Sequence, residues 1–149
     1  MTFKIVNTVR ILSIIALVIV FFISYAGLPE QVLVLLDEIG APVQYVTRDL
    51  FFYGSLSFIV LSNALLYVLS AILAASPKKT FQLIANYLVV LTAIINFFFS
   101  VSFTFVGILN GRENFNYSNF APFFYLSEGL FAIWLMAFTY SLATTKKDV

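Results

Sequence analysis

The run ILSIIALVIVFFIS, Ile11 to Ser24, decides the fold class. It carries no charge and has no polar face, whereas a helix on the surface of a soluble domain keeps polar residues opposite its apolar stripe. Extended to Val6 and Ala26 it reaches the roughly 20 residues that a helix needs to cross a bilayer core. Three further apolar segments follow, at about Leu50–Ala75, Phe81–Leu109 and Pro122–Ala143. The second and third are longer than a straight crossing requires, so tilt or projection beyond the bilayer is expected. Ser76-Pro77-Lys78-Lys79 leaves room only for a tight turn, which makes these two segments antiparallel neighbours.

Composition agrees with this reading. Of the 149 residues, 62% are hydrophobic and only 10% charged, where a soluble domain carries about a quarter charged residues. There is no Cys and no His. Disulfides, thiolate metal sites, iron–sulfur clusters, imidazole ligation and His-based acid–base catalysis are thereby excluded. The expected fold is an all-α integral membrane protein: one membrane domain over residues 1–149, built as a four-span transmembrane helical bundle.

Lys4 and Arg10 precede the most apolar run of the first span and Ser24-Tyr25-Ala26 resembles a signal cleavage site. We read the segment as a retained signal anchor. Lys4, Arg10, Lys78, Lys79, Lys146 and Lys147 fall on one side of a four-span arrangement, with only Arg48 and Arg112 on the other. By the positive-inside rule both termini are cytoplasmic. Glu30, Asp37, Glu38, Asp49 and Glu113 then make the outer face acidic. No basic, aromatic-interleaved patch lies outside the spans, so nucleic acid is not an expected partner.

The break between the first two spans, Gly27 to Asp49, admits two readings. Pro29-Glu30 resembles a helix start, Val32, Leu35, Leu36 and Ile39 share a helical spacing, and Gly40 with Pro42 supplies a stop. This favours a short outer interfacial helix over Pro29–Ile39, with those four aliphatic residues as its contact face. The rival is a β-hairpin, VLVLL–DEIGAP–VQYVT, closed by a Gly/Pro turn. In either form the aliphatic surface must rest on lipid, the bundle or a partner. In the last break, Asn110-Gly111 reads as a turn, and Asn116-Tyr117-Ser118 is read as an accidental match to a glycosylation sequon.

Leu28-Pro29, Val32, Val34, Asp37, Gly40 and Pro42, with Arg48 before a new apolar span, resemble the outer loop of a bacterial membrane family. That family is the domain of unknown function found in the immunity protein against the sporulation-delaying toxin. Asn63 also resembles a polar position of the family's second span. The sequence departs from the pattern at Leu33, Leu35 and Val43, where the family has Pro, His and Asp. The similarity covers roughly the first 70 residues. It implies a multispan helical protein with an outer loop of this shape and carries over no catalytic residue. The expected location is the bacterial inner membrane.

Within the spans, Thr92, Asn96, Ser100 and Thr104 are spaced four apart and form one polar stripe that points toward Gly107. Such a stripe lines a permeation path or grips a lipid headgroup or, more commonly, lets helices approach and hydrogen-bond. Asn63 and Asn86 invite the same reading, pairing across the second and third spans. Glu128 is the only charge well inside a span, and an intramembrane carboxylate is a functional candidate by default. Its expected partners are Arg48 or Arg112 at the outer interface, or a group on another subunit. Proton transport is disfavoured, since no second acid, His or Lys accompanies it.

No phosphate-binding loop, paired carboxylates or nucleophile–base set is present, and no extramembrane segment is long enough to fold alone. Neither enzymatic activity nor a cofactor of its own is expected. The leading expectation is a non-catalytic subunit of a larger membrane assembly, respiratory, transport or secretory, in contact with lipid and with other membrane subunits. The alternative is an autonomous immunity-like or small transport protein, in which the Asn96 stripe and Glu128 would share a polar cavity.

Overall fold

The computed structural model of the chain describes residues 3–38, 40–111 and 120–145. Ile39, Arg112, Glu113, the sequon Asn116-Tyr117-Ser118 and Lys146-Lys147 lie outside them. Four long helices dominate: α1 (Phe3–Ala26), α2 (Arg48–Ala74), α3 (Lys79–Gly111) and α4 (Ala121–Thr145). All four are long and apolar enough to cross a membrane, and each falls within a few residues of its predicted span.

The longest helix, α3, is the hub, and α1, α2 and α4 all pack on it. The core lies between α1, α2 and α3, where Leu17, Phe21, Ile59 and Phe103 are buried together. Phe21 sits at its centre, with ring centroids 5.1 Å from Phe103 and 5.5 Å from Phe52. The side chains of α1 also approach α3 closely. A Cβ on Gly107 would lie 3.1 Å from the Ser24 Cβ, so the absence of a side chain permits this contact. On another side of α3, Trp134 of α4 donates from its indole Nε1 to the Tyr87 carbonyl at 3.0 Å. The Tyr87 hydroxyl in turn meets Ser141 Oγ at 2.7 Å.

The segment between α1 and α2 is a β-hairpin, which corrects the expected outer helix. β1 (Gln31–Leu36) pairs antiparallel with β2 (Pro42–Thr47). Gln31 stands opposite Thr47 and Leu33 opposite Tyr45, with irregular register around Leu35. Three local features suit the strands. Val32, Val34, Val43, Val46 and Thr47 are β-branched and suit a pleated chain. Gly40 adopts φ 81°, a left-handed turn conformation that side chains resist. Asp37 closes the turn, its Oδ1 accepting from Ala41 N at 2.7 Å.

An isolated two-stranded hairpin is marginal in water, and this one is tied down from outside. The Asn110 side chain reaches the open edge of β1. Its Oδ1 accepts from Leu33 N at 2.8 Å and its Nδ2 donates to Leu33 O at 3.0 Å. One amide thus satisfies both backbone groups of a strand-edge residue, as a third strand would. Asn110-Gly111 is accordingly not a turn, since α3 runs through both. Val32 and Leu33 are buried, whereas Leu35 is 50% exposed. The supposed contact face of Val32, Leu35 and Leu36 is therefore split between a buried start of β1 and an exposed position at the register irregularity around Leu35.

β2 runs straight into α2. Thr47 ends the strand and caps the helix, its hydroxyl accepting from Leu50 N at 3.3 Å. The turn between α2 and α3 is as tight as its sequence requires, with Gln82 Nε2 donating back to the Ser76 carbonyl at 3.0 Å.

Candidate functional site

The buried polar cluster is built from three helices. Asn96 of α3 is wholly buried. Its Oδ1 accepts from Asn63 Nδ2 of α2 at 2.9 Å, and its Nδ2 donates to Asn63 Oδ1 at 3.1 Å and to Ser13 Oγ of α1 at 3.0 Å. Asn63 Nδ2 also donates to the Ile59 carbonyl, and the Ser13 hydroxyl to the Arg10 carbonyl. Both amides are satisfied, so the cluster closes on itself.

The rest of the stripe turns inward on its own helix. Thr92, Ser100 and Thr104 each donate to the carbonyl four residues earlier, at 2.8–2.9 Å. In an apolar surrounding this removes the cost of an unbonded hydroxyl. Small back-bonded side chains at this spacing suit close helix approach, as at Gly107. Asn86 is not Asn63's partner. Ten residues from Asn96, it is turned away by roughly 80° at 3.6 residues per turn, and it lines a groove of about 520 Å³ between α1, α3 and α4 with Val6, Tyr87 and Trp134.

Glu128 stands apart from this cluster. It is exposed on α4 and borders a second groove, of about 400 Å³, between α2, α3 and α4. The other lining residues are mainly Phe58, Ile94, Ile95, Phe98, Phe99 and Phe131, with Ser62 and Ser127 as the hydroxyls. The expected pair with Arg48 does not form. The Arg48 guanidinium instead lies 4.4 Å from the Tyr25 ring centroid and donates to the Tyr25 carbonyl at 3.3 Å. The negative end of α1 attracts the cation there. Among the described residues Glu128 has no hydrogen bond or ion pair.

The Arg48–Tyr25 contact has a counterpart that the sequence did not suggest. Arg10 of α1 lies 4.4 Å from the ring centroid of Tyr67 on α2. Each helix thus supplies one arginine and one tyrosine to the same pair of helices. Arginine–tyrosine stacking joins side chains far apart in the chain, and no local spacing signals it.

The chain matches no protein-family model, no curated protein and no solved structure.

Proposed function

We propose that this protein is a non-catalytic integral membrane subunit that packs against other subunits through α4. The observation that carries this reading is Glu128, an exposed carboxylate on the helix with the least internal contact. Only 6% of the most apolar stretch of α4 is buried inside the protein, against 28% for α3. A charge at mid-bilayer costs about 3 kcal/mol against lipid, and Glu128, roughly 10 Å in from the start of α4, bears a part of that cost which a cation or donor on a neighbouring chain would offset.

The distribution of polar groups supports the same reading. A transporter working by itself would gather the Asn96 stripe and Glu128 around one wet cavity. Here the amides are consumed in a helix-to-helix lock and the carboxylate faces an apolar groove. Lys4 and Arg10 in the first turns of α1 and Lys78 and Lys79 at the α2–α3 turn, set against the acidic hairpin end, support cytoplasmic termini in a bacterial inner membrane.

Native mass spectrometry after gentle solubilisation and affinity purification from the source membrane tests the proposal. Stoichiometric recovery with other subunits, reduced in Glu128→Gln, is expected. Recovery of the wild type only as a monomer or homo-oligomer would overturn it and favour the autonomous immunity-like protein.

A further inference from the structure

The two arginine–tyrosine contacts define a pair of sites at opposite ends of α1 and α2. Tyr25 and Arg10 are separated by about 22 Å along α1, and Arg48 and Tyr67 by about 28 Å along α2, at 1.5 Å rise per residue. The hydrocarbon core of a bilayer is about 30 Å thick. With Arg48 at one headgroup layer, the Arg10 backbone lies about 8 Å short of the other, a distance that its long side chain, stacked on Tyr67, covers by reaching toward the interface.

The guanidinium donors are only partly used. In both arginines Nε is buried without a hydrogen-bond partner. The Tyr25 carbonyl takes one bond from Arg48 Nη2. The remaining terminal nitrogens bond nothing among the described residues, yet they are not enclosed. Neither guanidinium is paired with a carboxylate among the described residues. Stacking on tyrosine also holds each one back from extending freely into water. What remains is a positioned cation, half-buried, offering its outer N–H groups at headgroup depth. A planar fork of this kind matches the oxygens of a phosphate.

We infer that Arg10 and Arg48 each bind the phosphodiester of a phospholipid headgroup, one in each leaflet. The tyrosines hold the guanidinium planes in place and the exposed terminal nitrogens meet the phosphate oxygens. This inference rests on the membrane reading above but not on the presence of partner subunits.

The test is native mass spectrometry of the purified full chain in detergent supplemented with phosphatidylglycerol, phosphatidylcholine or a phosphate-free glycolipid. The wild type should retain up to two phospholipids of either headgroup and no glycolipid. Arg10→Gln and Arg48→Gln should each lose one lipid, and the double variant both. Tyr25→Leu and Tyr67→Leu keep the charges and should weaken retention at one site each, which keeps the test informative if an arginine variant does not fold. Equal retention in all variants, or equal retention of the glycolipid, would overturn the inference. Displacement of the lipids by millimolar inorganic phosphate would overturn it in favour of a free anion site. A chain recovered outside the membrane fraction would overturn the membrane reading itself, whereas a membrane-embedded chain with unaltered lipid retention would sink only the headgroup sites.

Discussion

Asn63 and Asn96 exchange both of their amide hydrogen bonds, at 2.9 and 3.1 Å, across the interface of α2 and α3. A reciprocal amide pair fixes the rotation and the relative depth of two helices together, because only one register brings all four polar atoms into reach. Apolar ridges alone tolerate sliding by a turn. The added bond from Asn96 to Ser13 extends the constraint to α1, so one side chain sets the register of three helices.

Removing Asn96 should therefore cost more than its size suggests. Asn96→Ala leaves Asn63 and Ser13 with unmet polar atoms. The expected loss is about 1–3 kcal/mol, read by thermal unfolding in detergent. In a double-mutant cycle with Asn63→Ala, a coupling of about 0.5–1.7 kcal/mol is expected. Additive single losses would show that the pair does not act as a unit.

The approach of α1 to α3 at Gly107 should be sensitive to side-chain size. Gly107→Ala places a methyl 3.1 Å from the Ser24 Cβ and should be mildly destabilising, while Gly107→Leu should lose about 1–3 kcal/mol through overpacking. Ser24→Gly in the Gly107→Ala background should recover part of the stability. A neutral Gly107→Leu in the same unfolding assay would contradict the close contact.

The hairpin predicts opposite outcomes at neighbouring aliphatic positions. Val32 is fully buried, and Val32→Ser should destabilise the fold by about 1.5–3 kcal/mol. Leu35 is half exposed, and Leu35→Ser should stay within about 0.5 kcal/mol. An interfacial helix would make the two substitutions comparable, so unfolding temperatures of the pair separate the two structures.

Asn110→Ala should release the edge of β1. Hydrogen exchange of the Leu33 amide is the direct readout, and loss of a bond worth about 1 kcal/mol should speed its exchange several-fold. Unchanged protection at Leu33 would mean that the Asn110 contact does not hold the strand.

Much of this architecture was legible in the chain. The four apolar runs and their polar breaks located the helices because an α-helix makes its backbone bonds within its own segment, and that is a local property. The shared side of Thr92, Asn96, Ser100 and Thr104 was legible for the same reason, since a four-residue spacing maps onto one side of a helix, and within it Asn96 makes the bonds to other helices. Partner choice was not. Asn63 pairs with Asn96 instead of Asn86, and Arg48 turns to Tyr25 instead of Glu128, because rotation and tilt of packed helices decide which distant side chains share a depth.

The outer segment shows the division most clearly. Its sequence by itself determined a turn at Gly40 and aliphatic flanks compatible with either a helix or two strands. The tertiary structure decided for strands, because an amide on α3, 77 residues away from Leu33, satisfies the edge that would otherwise be left open.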